Sequence, residues 1–157
     1  MNMDRRRVLL LAGATLLAPA AARAAGQPLV TVYKDPSCAC CGAWADHIAK
    51  AGFSMTIVEE PRMNAIKVRF GIPSALWSCH TAEVENYLLE GHAPATALIR
   101  LLAARPSVRG IAVAGMPVGS PGMDVAGMEP ETYDVMAFGS ATPSLFMRFR
   151  SASPIPN

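Results

Sequence analysis

The sequence has 157 residues, 52% of them hydrophobic and 17% charged, with a formal net charge of +2. That charge is concentrated at the start: without residues 1–24, which hold four Arg and one Asp, 10 basic residues face 11 acidic ones, a net of −1. A chain so balanced lacks the electrostatic footprint of a nucleic-acid or anionic-membrane binder, and residues 25–157 have the length of one domain.

The first 24 residues read as an export signal. Arg5, Arg6 and Arg7 precede an apolar run over 8–22, and Ala22-Arg23-Ala24 supplies a small-residue cleavage site. The run is shorter than the ~20 residues a membrane span needs. The consecutive arginines also resemble a twin-arginine signal, which leaves Sec and Tat export both open. No later apolar run is long enough to span a membrane, so a soluble periplasmic product is expected.

Residues 28–34 are β-branched and aromatic and read as a buried central strand, ended by Asp35-Pro36-Ser37. A helix is expected over 41–51, with Trp44, Ala45, Ile48 and Ala49 on its apolar face and Gly52 at its C-terminal cap. A strand at 54–58 follows, then a helix begun by Pro61, carrying Met63, Ile66 and Phe70 and ended by Gly71 and Pro73. Cys79 to Leu89 reads as one or two strands. Gly91-His92-Ala93-Pro94 opens a third helix with an apolar stripe of Leu98, Leu101 and Leu102, stopped by Pro106. A short strand at 110–114 precedes a Gly/Pro/Met-rich stretch, 115–123, too irregular for regular structure. A last strand fits 132–138, and the Pro154/Pro156 tail reads as frayed. The order β-α-β-α-β-β-α matches a thioredoxin-like α/β core with a C-terminal Gly/Pro/Met-rich extension.

Four cysteines in an exported chain ordinarily suggest two disulfides. Here Cys38, Cys40 and Cys41 fall within four residues, and bridges among them would staple no separate elements together. Cys38 and Cys41 form C-x-x-C at a helix N-terminus, where the helix dipole favours thiolates. Such thiolates serve dithiol–disulfide exchange or metal binding. Exchange needs only Cys38 and Cys41, whereas a metal gains from the third sulfur, Cys40, so metal is favoured. Thiolates suit Cu(I), Zn(II) and iron–sulfur clusters. Three cysteines this close crowd a zinc tetrahedron, which usually draws on two separated knuckles. Cu(I) accepts two or three sulfurs and shares bridging thiolates, so the spacing favours copper, singly or as a small cluster.

Met116, Met123 and Met128 sit in the irregular stretch, where no core face accounts for them, and thioethers favour Cu(I) over zinc. Met55, Met63, Met136 and Met147 read as packing. In a thioredoxin-like topology the start of the third strand lies beside the end of the first. That brings Cys79 to the cluster as a fourth ligand, or as the partner of a cluster cysteine in an oxidised, copper-free protein. Strand alternation turns His80 to the opposite face. His47 reads as a solvated histidine, His92 as a helix cap or auxiliary ligand, and Trp44 and Trp77 as packing.

Tyr33-Lys34-x-Pro36-x-Cys38-x-Cys40-Cys41-x-x-Trp44, Ser78-Cys79-His80-Thr81-Ala82, Glu90-Gly91-His92-x-Pro94-Ala95 and Gly115-Met116-Pro117-x-Gly119-Ser120-Pro121-Gly122-Met123 resemble, in order, the motifs of the CopG-like copper-resistance family. The resemblance covers roughly residues 29–137. It implies a thioredoxin-like fold, periplasmic residence and Cu(I) clusters held by cysteine thiolates, with Cys38, Cys40, Cys41 and Cys79 as ligands. One departure is Asp124, where Glu is expected after Gly-Met. The reading is therefore a Cu(I)-binding protein of copper homeostasis that deals with copper ions and other periplasmic copper-handling proteins. Its alternative is a thiol–disulfide oxidoreductase using Cys38 and Cys41.

Overall fold

Val30 and Val32 alternate with Thr31 and Tyr33, and the strand they build, β1 (Leu29–Lys34), buries both valines completely. The computed structural model describes residues 28–139 and 142–156; the signal-peptide reading lies outside them. After β1 the Asp35 carboxylate accepts the Ser37 N–H at 2.8 Å, and the Asp35 carbonyl accepts the Cys38 N–H at 3.0 Å. This turn starts α1 (Ala39–Lys50) two residues earlier than expected, with extended Cys38 as its N-cap and Cys40 and Cys41 in its first turn. Cys41, Trp44, Ala45 and Ile48 make the inward stripe at i, i+3, i+4 and i+7. Ala49, expected there, is exposed, because Cys41 rather than Ala49 completes that face.

β2 (Ser54–Glu59) pairs parallel with β1 at the sheet edge. α2 (Met63–Phe70) stops at Gly71, whose φ of 65° is the left-handed conformation a helix end requires. A 3-10 turn, Ser74–Leu76, leads to a hairpin of β3 (His80–Val84) and β4 (Tyr87–Glu90). α3 (Ala95–Ala104) buries Ala97, Leu98 and Leu101, while Leu102 is only partly covered. β5 (Gly110–Ala112), β6 (Thr132–Phe138), β7 (Ser144–Arg150) and β8 (Ser153–Ile155) complete one mixed sheet in the order β2-β1-β3-β4-β5-β6-β7-β8. β1 is antiparallel to β3 and β4 is parallel to β5; the later pairs are antiparallel.

Two strands go beyond the sequence reading. β7 turns Met147 and Phe149 inward, and β8 pairs Pro154 with Phe149 where a frayed tail was expected. Proline is tolerated there because β8 is an edge strand. The larger core joins Val30, Val32, Trp44, Ile48, Leu98 and Phe149 among others, and a smaller one gathers Ile72, Leu76 and Phe138. Between α2 and β4 a fully buried ion pair joins Lys67 Nζ to Glu90 Oε1 at 2.6 Å. No helix among the described residues is long and apolar enough to cross a membrane.

Candidate metal centre

Cys38, Cys40, Cys41 and Cys79 come together at the junction of β1, α1 and β3, their sulfurs all within 4.8 Å of one another. The antiparallel pairing of Lys34 with His80 produces this meeting: the end of β1 feeds the cysteine turn, and Cys79 immediately precedes β3. Cys41 is wholly buried on the inner face of α1, while Cys38, Cys40 and Cys79 are partly open. Trp44 roofs the inner side, its indole N–H donating to Ala93 O at 2.9 Å.

Cys38 and Cys41 are joined by a disulfide with a Cα separation of 5.4 Å. Cys40 and Cys79 remain free thiols. The expected bridge from Cys79 to a cluster cysteine is therefore corrected. The N-cap position of Cys38 and the first-turn position of Cys41, three residues on, bring these two into bonding range, while Cys79 Sγ stands 4.0 Å from Cys40 Sγ. Cys38 Sγ lies 3.5 Å from Cys40 Sγ.

Two imidazoles complete the pocket. His92 Nε2 lies 2.9 Å from Cys79 Sγ, and its Nδ1 lies 2.8 Å from Pro121 O. A carbonyl only accepts, so Nδ1 carries the proton and Nε2 presents its lone pair to the sulfur. The partner carbonyl comes from the Gly/Pro-rich loop, which is drawn in close. A Cβ on Gly122 would sit 2.7 Å from Cys40 O and 2.8 Å from Trp44 N, at a φ of +84°. Only glycine lets this loop lie on the first turn of α1.

His80, assigned to the opposite face from sequence, instead packs into the same pocket. Its Nδ1 is 3.4 Å from Cys79 Sγ, and its ring lies 4.2 Å from the Trp44 ring and 5.0 Å from that of His92. It is fully buried, and its Nε2 has no hydrogen-bond partner among the described residues. Strand alternation failed as a guide because Cys79 lies outside β3 and His80 is its first residue, so no pleat separates them. The adjacency Cys79-His80 was the available signal.

Burial, with the neighbouring Cys40 adding to it, pushes the Cys79 thiol up to about 12. Burial holds His80 well below the usual imidazole range, with His92 and Lys67 contributing, and burial lowers His92 as well. Both rings are thus neutral, the form that ligates a metal. Glu90 fixes the approach to Cys79: Oε1 accepts the Ser78 N–H at 2.6 Å, and Oε2 accepts the Thr81 hydroxyl at 2.6 Å. Ser78 Oγ donates to Gly115 O, tying the start of the 115–123 loop beside Cys79. Met116 lies on that loop, 52% exposed, and Met123 is half-buried next to Gly122. His47 is not simply solvated: its Nε2 accepts the first N–H of α3, from Ala95, at 3.1 Å, and burial lowers its pKa.

A mixed α/β fold with four sulfurs and two neutral imidazoles in one pocket defines a candidate soft-metal-binding protein. A family described as a protein of unknown function, DUF411, matches residues 76–123. Among solved structures, copper resistance protein CopG in its form 2 is 34% identical, with a TM-score of 0.72, covering 83% of this chain and 99% of its own. Form 1 of that protein is also 34% identical, with a TM-score of 0.70, covering 83% of this chain and 100% of its own. No curated protein sequence matches the chain. The chain belongs to the CopG-like copper-resistance family.

Proposed function

We propose that this chain is a periplasmic Cu(I)-binding protein of copper resistance, in which Cys38, Cys40, Cys41 and Cys79 hold copper as a multinuclear thiolate cluster. The observation that carries the reading is the meeting of four sulfurs within 4.8 Å. Bridging thiolates let so dense a patch serve several soft ions. His92 acts as an auxiliary ligand, and Met116 and Met123 close over the site as weaker, labile donors on a loop tied down by Ser78 at Gly115 and by His92 at Pro121. Copper ions are the cargo, passed to and from other periplasmic copper-handling proteins. Loading all four sulfurs requires prior reduction of Cys38–Cys41 by two electrons and two protons, so copper capacity follows redox state.

In this reading residues 1–24 are removed and 25–157 form one metal-binding domain. A thioredoxin-like core is supported by the strand order β2-β1-β3-β4, with β1 parallel to β2 and antiparallel to β3. Anaerobic titration of the reduced protein with Cu(I), against a competing chelator, tests the proposal. More than one tightly held Cu(I) per chain is expected. A single zinc that Cu(I) fails to displace would contradict it.

One observation favours the second reading, a thiol–disulfide oxidoreductase: the disulfide joins the two C-x-x-C sulfurs, with partly open Cys38 at the helix N-cap. Cys40 separates the two functions, since exchange does not need it.

A further inference from the structure

We infer that Cys79, His80 and His92 form a second metal site, for a single divalent cation of Zn(II) type, which stays competent when Cys38 and Cys41 are joined by their disulfide. The disulfide removes two sulfurs from the four-cysteine cluster and leaves Cys40 and Cys79 free. It leaves the other side of Cys79 untouched. There the thiol sulfur and the two ring nitrogens lie within 4.8 Å of one another.

The spacing suits an ion. With Zn–S near 2.3 Å and Zn–N near 2.0–2.1 Å, a tetrahedral S–N edge is about 3.6 Å. Cys79 Sγ to His80 Nδ1 is 3.4 Å, close to that edge already. Cys79 Sγ to His92 Nε2 is 2.9 Å, the length of a hydrogen bond in which the thiol donates to the imidazole. Metal binding replaces that proton, which passes to solvent, and removal of the hydrogen bond frees the pair to widen. No electron moves in this step.

The donors are also pre-aimed. Pro121 O fixes the His92 tautomer, as the partner of a metal-bound imidazole ordinarily does. His80 is clamped between the Trp44 and His92 rings. His80 is fully buried with Nδ1 turned to Cys79 Sγ at 3.4 Å, so a metal at Nδ1 replaces a long, weak contact, while the ring proton stays on Nε2. One thiolate with two imidazoles is a borderline donor set, suited to a divalent ion. The fourth position falls to water, and Cys40, 4.0 Å from Cys79, stays outside the site. Cys79 belongs to both sites, so the state of the Cys38–Cys41 pair selects between Cu(I) in the sulfur cluster and a divalent ion among the imidazoles. The site needs no Cu(I) chemistry, and its test uses the oxidised chain while the copper titration uses the reduced one, so either can fail alone.

The test is Zn(II) added to the disulfide form of the chain, followed by alkylation of Cys40 and Cys79 and mapping by mass spectrometry. Zn(II) is expected to slow modification of Cys79 by about tenfold or more and to leave Cys40 the faster-reacting thiol. Co(II) used as a probe should give tetrahedral ligand-field bands with a sulfur charge-transfer band. His80→Gln and His92→Gln should each weaken Zn(II) binding by about tenfold or more. Failure of Zn(II) to protect Cys79, or unchanged Zn(II) affinity in a folded His80→Gln chain, would overturn the inference. Should that variant fail to fold, the alkylation pattern of the unaltered chain decides.

Discussion

Replacing Glu90 by Gln tests how the fold holds Cys79 in place. Glu90 is fully buried, and its Oε1 accepts both Lys67 Nζ and the Ser78 N–H at 2.6 Å. Lys67 is only 2% exposed, so Glu90→Gln leaves its ammonium buried without a counter-charge. Breaking such a pair from one side costs about 3–5 kcal/mol. Against a total stability of ~5–15 kcal/mol, a loss near 4 kcal/mol lowers the folded-to-unfolded ratio by roughly a thousandfold. With a urea slope of about 2 kcal/mol/M the midpoint should fall by about 2 M. The assay is urea unfolding of the reduced chain, followed by the fluorescence of buried Trp44 and partly buried Trp77.

The double variant Lys67→Met/Glu90→Gln sharpens the test. The glutamine carbonyl still accepts the Ser78 N–H, its amide donates to the Thr81 hydroxyl, and no charge remains buried. Its loss should be smaller than the sum of the two single losses by about 2 kcal/mol or more. A single-variant loss under about 1 kcal/mol, or strict additivity, would refute the reasoning.

Three further outcomes follow from the same geometry. Cys40→Ser should sharply lower Cu(I) capacity yet leave a Cys38–Cys41 dithiol able to reduce disulfides; full copper capacity, together with a reductase activity abolished by Cys38→Ser, would favour the oxidoreductase reading. Gly122→Ala places a Cβ 2.7 Å from Cys40 O at a φ of +84°, and should destabilise the chain by ~1–3 kcal/mol in denaturant unfolding while disturbing the Pro121–His92 contact. His80 and His92 have depressed folded-state pKa values, so below about pH 6.5 the unfolded chain takes up protons first and stability falls with acid, by up to about 1.4 kcal/mol per pH unit for each ring. Urea midpoints of the metal-free, reduced protein between pH 7.5 and 5.5 check this slope, and His92→Gln should reduce it.

The elements around the site were legible because their signals are local. The β-branched run of β1, the Gly71 stop of α2 and the alternating residues of β6 each declare themselves within a few positions. The meeting of Cys79 with the C-x-C-C turn was also legible, since antiparallel pairing of β1 with β3 dictates it. What escaped depends on partners distant in sequence. β7 carries Met147 and Phe149 inward between outward arginines, and β8 is held as an edge strand by β7 alone despite Pro154. Lys67 looks like a solvent residue of α2 until β4 supplies Glu90, 23 residues further on. His80 was misassigned by strand parity, which does not act at the first residue of a strand.

X-ray absorption at the copper edge of the anaerobically loaded, reduced protein tests the central claim most directly. Sulfur neighbours around Cu(I), with a short copper–copper vector that disappears in Cys40→Ser, are predicted. A copper shell of nitrogen and oxygen alone, unchanged by loss of Cys40, would contradict the thiolate cluster.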